Sequence, residues 1–199
     1  MNQYSTREEW LMAAVAELRP FFDTIHTFKG GQLPERIRVT CGFPSGGNRG
    51  NVVGECVSPD RSKDDHWEIS IHPRMDDPRS VFAVLVHELV HTMPHCFNHG
   101  KNFRICAAAV HLDAPSGNWK STEAGATFDA TYGEIIDSLG KYPHASLGLG
   151  AKPKQKTRLL KAVCPTCGYT IRLTQKWASQ GLPTCGQDGD TFNIDSTEE

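Results

Sequence analysis

His87-Glu88-Leu89-Val90-His91 places two imidazoles and a carboxylate within five residues, and together these types support metal-assisted hydrolysis. On a helix, residues four apart differ by about 40° around the axis, so both imidazoles can reach one ion. Glu88 lies about 100° further round. That offset suits a carboxylate that touches a metal-held water rather than the metal, taking its proton during attack on a carbonyl and passing it to the leaving amine. Peptide hydrolysis is the reaction the pattern fits best. Residues 80–86 are apolar and free of Gly and Pro, and Asp77-Pro78 offers an N-cap and a first-turn proline, so the pentapeptide is expected on a buried helix.

A catalytic zinc takes three protein ligands and keeps a fourth position open, so a third ligand is expected downstream. Pro94 is read as ending the helix, with a short loop leading to a second one. The metzincin pattern would put a histidine at position 97, which is Phe97, and that class is excluded. A glutamate on a later helix, Glu123 or Glu134, is one option and His95 another. His99 fits better, because it opens a segment whose Phe103, Cys106, Ala107 and Val110 form an apolar stripe that can pack against the first helix.

The two-histidine motif, the short loop and His99-Gly100-x-x-Phe103 together resemble the SprT-like (Spartan-related) zinc metallopeptidases, in the prokaryotic and phage form that ends in a zinc ribbon. The resemblance spans residues 36–190, with its specific motifs at 87–103 and 164–188. It implies an α+β, zincin-like metallopeptidase domain, a catalytic Zn2+ on His87, His91 and His99, and Glu88 as general base. It also implies a bacterial or phage hydrolase that cuts proteins bound or crosslinked to DNA, as in crosslink repair. The alternative from another class is a non-catalytic DNA- or protein-binding adaptor that keeps the fold.

Cys164-Pro165-Thr166-Cys167-Gly168 is half of a second metal site: two thiolates three positions apart can close on one ion, and Gly168 permits the tight turn. The other half is expected some 15 to 20 residues later. Cys185 arrives there, but the position that should hold a fourth cysteine or histidine holds Asp188. A structural Zn2+ on Cys164, Cys167, Cys185 and Asp188 is the expectation, with Asp190 or water as alternatives to Asp188. A ribbon this small has too little core to fold without its ion.

Charge is distributed unevenly. The 199 residues carry 21 Lys and Arg against 23 Asp and Glu. Residues 138–187 nevertheless hold no acid and eight bases: Lys141, Lys152, Lys154, Lys156, Arg158, Lys161, Arg172 and Lys176. Five acids follow from Asp188 onward. A basic segment between acidic ones points to a polyanion such as DNA. Lys152, Lys154, Lys156, Arg158, Arg172 and Lys176 would meet phosphates and Trp177 would stack on a base, unless it is ribbon core. The expected organisation is a peptidase domain over 1–140, a basic linker over 141–158, and a ribbon with an acidic tail over 159–199.

Several local readings complete the picture. Ser5 and Glu8 are read as a capping box for an amphipathic helix that Pro20 helps to end. Residues 36–41, 51–57 and 67–72 are read as strands, 43–50 as a turn, and 121–139 as a helix. His66 and His72 are read as surface or edge histidines, and Tyr142 and His144 as outside candidates for an oxyanion donor. With no run of 18 apolar residues and a polar start, no membrane span is expected and a cytoplasmic location is. Cys41, Cys56, Cys96 and Cys106 are read as reduced thiols, Cys96 being the one to watch for reactivity.

Overall fold

The computed structural model describes residues 3–25, 32–47, 51–148 and 159–195. The chain divides into two compact units, 1–149 and 150–199. In the first, helix α1 (Arg7–Asp23) precedes strands β1 (Ile37–Cys41), β2 (Gly54–Val57) and β3 (Trp67–Ile71). Helices α2 (Pro78–His91) and α3 (Lys101–Ala109), a hairpin of β4 (Leu112–Asp113) and β5 (Glu123–Ala124), and helix α4 (Phe128–Leu139) follow. The class is mixed α+β.

The three-stranded sheet has the order β1-β3-β2, with β1 parallel and β2 antiparallel to the central β3. α2 packs on β2, β3, β5 and the other three helices of the unit. Its run from Val81 to His91 is therefore buried on nearly every side, including the polar His87, Glu88 and His91. A helix apolar around most of its circumference is stable only in such a place. The core joins α1 (Trp10, Leu11, Leu18, Phe22), α2 (Phe82, Leu85, Leu89), Phe103 and α4 (Phe128, Tyr132) to the sheet's Ile69 and Ile71.

α2 begins as its sequence requires. Asp77 accepts hydrogen bonds from the Ser80 N–H at 2.8 Å and hydroxyl at 2.6 Å, and Pro78 occupies the first turn, where no N–H is needed. The helix ends at His91, three residues before Pro94.

Other local expectations shift. The α1 cap is the Thr6–Glu9 pair rather than Ser5 and Glu8. Pro20 lies inside α1, which continues to Asp23 because Phe22 must reach the core. The segment expected as one helix over 121–139 is split: 123–124 pair with β4, and α4 starts only at Phe128. His72 is buried, with its Nδ1 accepting from the Arg74 N–H at 3.0 Å. Residues 44–47 form the expected turn, closed by Gly47 N–H on the Pro44 carbonyl at 2.7 Å, while 48–50 lie outside the described residues.

The domain boundary also moves, from 140 to 149. Arg7 is buried and donates to the carbonyls of Pro143 (2.9 Å), Ala145 (2.7 Å) and Pro73 (3.1 Å), which straps 142–145 onto the first unit. Tyr142 packs edge-on against Trp10 at 5.2 Å between ring centroids. It is core, so no oxyanion role falls to it, and His144 is exposed away from the cleft lining. Of the linker expected over 141–158, residues 149–158 lie outside the described residues.

The second unit is an antiparallel sheet of order β7-β6-β8, from β6 (Leu159–Val163), β7 (Thr170–Thr174) and β8 (Asn193–Ile194), with a one-turn helix α5 (Gln175–Ala178). Its apolar centre is small: Ala162, Phe192 and the thiols Cys164 and Cys185, with Ile171 and Leu173 partly buried around them. No described helix is long and apolar enough to cross a membrane.

The Asp77 cap yields a stability test. Its hydrogen bonds to Ser80 hold the carboxyl below the ordinary range. A folded-state pKa below the unfolded one means the contribution is complete above about pH 4 and is lost as pH falls through the folded value. Asp77→Ala should cost about 1 kcal/mol in urea unfolding at pH 7, and the gap between the two proteins should narrow as the pH is lowered below 4.

Candidate metal centre

His87 and His91 project from the last turns of α2, and His99 sits just before α3, whose first residue is Lys101. His99 thus precedes its helix rather than opening it, and Gly100 is the N-cap. The His87 and His99 Nε2 atoms stand 3.2 Å apart, and one ligand atom from each of the three histidines lies within 4.8 Å of the others. A tetrahedral ion with metal–nitrogen bonds of about 2.0–2.1 Å would set its nitrogens about 3.3 Å apart, so the three imidazoles can hold a metal ion.

Phe103, fully buried, underlies all three rings, with centroids 4.9, 4.5 and 4.7 Å from those of His87, His91 and His99. Burial, reinforced by the neighbouring imidazoles, lowers the pKa of His87 to about 3 and of His91 to about 4. His99 is lowered by burial and by the charge of Lys120. At neutral pH the rings are uncharged, the form that binds metals. The outer nitrogens are engaged as well: His91 Nδ1 faces the Cys96 carbonyl at 3.1 Å, and His87 Nδ1 faces the Thr122 hydroxyl at 2.7 Å.

The cluster lines a cleft of about 570 Å³ together with Glu88, 51–56 of the β2 region, Val84, Phe97 and the loop residues Lys120, Ser121 and Thr122. Glu88 is buried, and desolvation, with a smaller contribution from the Glu55 charge, raises its pKa to about 8. Gly54 makes this burial possible. A Cβ there would fall 2.4 Å from Glu88 Oε1 and 2.6 Å from Val84 Cγ1, so only glycine lets β2 close over the carboxyl. His95 is not in the cleft lining, nor are Glu123 and Glu134. Cys96 is buried with its thiol pushed up to about 12, and its carbonyl is what faces the site.

In the second unit Cys164, Cys167, Cys185 and Asp188 converge in the same way. Two equivalent turns present them. Gly168 N–H bonds to the Cys164 carbonyl at 3.0 Å, and Gly189 N–H to the Cys185 carbonyl at 2.9 Å. Both glycines have positive φ, 75° and 81°. Cys164 N–H reaches the Tyr169 carbonyl at 2.9 Å and Cys185 N–H the Asp190 carbonyl at 2.7 Å. Asp188 therefore holds the place in the second turn that Cys167 holds in the first. Its oxygens lie 3.3 and 3.4 Å from Cys164 Sγ, and Cys167 Sγ is 3.6 Å from Cys185 Sγ, against about 3.8 Å for thiolates on a tetrahedral ion with bonds of about 2.3 Å. Asp190 is not among the converging groups, and its carboxylate bonds to the Thr166 hydroxyl.

Trp177 is not core: it is 57% exposed, with the Lys176 ammonium 5.0 Å from its ring centroid. With Arg172, Leu159 and Leu182 it lines a shallow groove. Lys161 instead pairs with Asp195 at 2.8 Å. Lys152, Lys154, Lys156 and Arg158 lie outside the described residues.

Sequence reasoning missed Gly54, Thr122 and Lys120, none of which carries a local signal; each matters only through what folding brings beside it. Comparison of the chain with protein-family models, with curated proteins and with solved structures finds no match.

Metal content separates the two clusters. The wild type should hold two divalent ions per chain, His99→Ala one and Asp188→Cys two. Asp188→Ala should weaken the second ion by about tenfold or more, the equivalent of about 1.4 kcal/mol. Asp188→Cys should add thiolate-to-Co2+ absorbance when cobalt is the probe.

Proposed function

We propose that the chain is a SprT-like zinc endopeptidase acting on proteins associated with or crosslinked to DNA. His87, His91 and His99 would hold a catalytic Zn2+, and Cys164, Cys167, Cys185 and Asp188 a structural one. The observation that carries the reading is the convergence of three neutral imidazoles on the floor of an open cleft that also holds a buried carboxyl, Glu88. When bound, Zn2+ supplies a Lewis acid that polarises a carbonyl and acidifies water.

The chain's own residues do the rest. Beside the charge of a bound cation the Glu88 carboxyl would be ionised, and it would accept the proton of the attacking water and return it to the departing amide nitrogen. Gly54 keeps that carboxylate under β2 and out of bulk solvent. β2 is the edge of its sheet and lines the cleft, so an extended substrate can lie along it by backbone hydrogen bonds. Phe97, 52% exposed, adds an apolar surface at the cleft. Support for the DNA part comes from the acid-free stretch 138–187 and from exposed Lys176 and Trp177 beside Arg172.

Cleavage of a DNA-bound protein, with and without DNA, tests both parts. Glu88→Gln should keep its metal and lose about 10²- to 10⁴-fold in rate; equal rates in the two proteins would overturn the peptidase reading and leave the adaptor. DNA affinity should fall steeply with salt, and an affinity indifferent to salt would remove the nucleic-acid part alone. Gly54→Ala should retain both ions yet lose about 10²-fold in rate, the cost of a base displaced by about 1 Å.

A further inference from the structure

The two buried imidazoles of α2 are oriented by partners of different kinds. His91 Nδ1 faces a backbone carbonyl, that of Cys96. A carbonyl can only accept, so His91 must carry its proton on Nδ1 and present a bare Nε2 to the cluster. His87 Nδ1 faces the Thr122 hydroxyl at 2.7 Å, and a hydroxyl can donate or accept. The tautomer of His87 is therefore decided at Thr122.

The opposite face of His87 sets the direction that ligation requires, because a ligating Nε2 carries no proton. Its Nε2 stands 3.2 Å from His99 Nε2, a separation that leaves no room for a proton on both. With Nδ1 donating to Thr122 Oγ1, the lone pair of Nε2 points into the cluster. With the hydroxyl donating instead, Nε2 would carry the proton and could not ligate.

We infer that Thr122 is a positioning residue for the metal centre: its hydroxyl accepts the Nδ1 proton of His87, holds the ring in the tautomer that leaves Nε2 free, and so raises metal affinity. The proposal rests on the reading of the histidines as metal ligands, but its first step concerns the metal-free imidazole. Thr122 directly precedes β5, where Asp113 pairs with Glu123 and Leu112 with Ala124. The Gly125 N–H on the His111 carbonyl at 2.8 Å extends that pairing by one step at its open end. Thr122 is thus held by an element that packs on α2 but shares no local sequence with it. Oxygen acceptors on the far nitrogen of a ligating imidazole typically contribute 10- to 100-fold in affinity.

The test uses the full-length protein as wild type, Thr122→Val and Thr122→Ser. Long-range ¹H–¹⁵N spectra of the chelator-treated proteins read the His87 tautomer. Competition with a chromophoric chelator reads Zn2+ affinity, and the thiolate site in the other unit serves as internal control. The wild type should show His87 protonated on Nδ1. Thr122→Val should populate the Nε2-protonated form and weaken the histidine-bound ion by about 10- to 100-fold, with the thiolate site unchanged. Thr122→Ser should restore both readouts, which a purely structural role for the threonine would not predict. An unchanged tautomer in Thr122→Val, or an unchanged affinity, overturns the inference. A wild type that shows the Nδ1 tautomer but binds no ion at the histidines would sink the metal reading and leave the tautomer assignment standing.

Discussion

Keeping three imidazoles uncharged and turned toward one another is the constraint on which the first unit is organised. Left in water, each would titrate near neutrality and swing freely. Here α2 is enclosed by the sheet, the hairpin and three helices, and Phe103 forms an apolar floor beneath all three rings. Desolvation makes protonation costly, and each ring disfavours charge on the next. The result is three imidazoles with ligand atoms within 4.8 Å of one another, placed by packing and by the Cys96 and Thr122 hydrogen bonds.

That same burial creates the problem of Glu88. A carboxyl in a dry wall beside Glu55 resists ionisation until positive charge comes near. The fold imposes this through the missing side chain at Gly54, where β2 closes down on the helix. Cleft, buried carboxyl and histidine cluster are therefore consequences of one packing arrangement, a β-strand edge laid over the middle of a buried helix.

The second unit meets a different shortage. Its apolar centre holds few side chains, too few to order a segment of its length, and Cys164, Cys167, Cys185 and Asp188 stand where a bound ion would add cohesion. Two glycine turns with the same hydrogen bonds present them as near copies. The substitution of a carboxylate into one turn changes donor chemistry without changing geometry.

How much of this was legible in the chain depends on the range of the interaction. His87, Glu88 and His91 lie on one helix with its own cap, and Cys164 and Cys167 on one turn with its own glycine, so local spacing alone determined their relation. The α+β class was what the family resemblance implied, and the helices and small sheets agree with it. Elements whose ends are fixed by distant contacts were misjudged: α1 runs through Pro20 because Phe22 is needed in the core, and 142–145 are drawn to the first unit by the buried Arg7. Only the tertiary structure decided that His99 reaches the other two histidines, that Asp188 rather than Asp190 faces the thiols, that Trp177 is exposed, and that Gly54 and Thr122 belong to the site at all. Such relations join residues across loops, and what fixes them is which surfaces bury together, a property no local stretch of sequence carries.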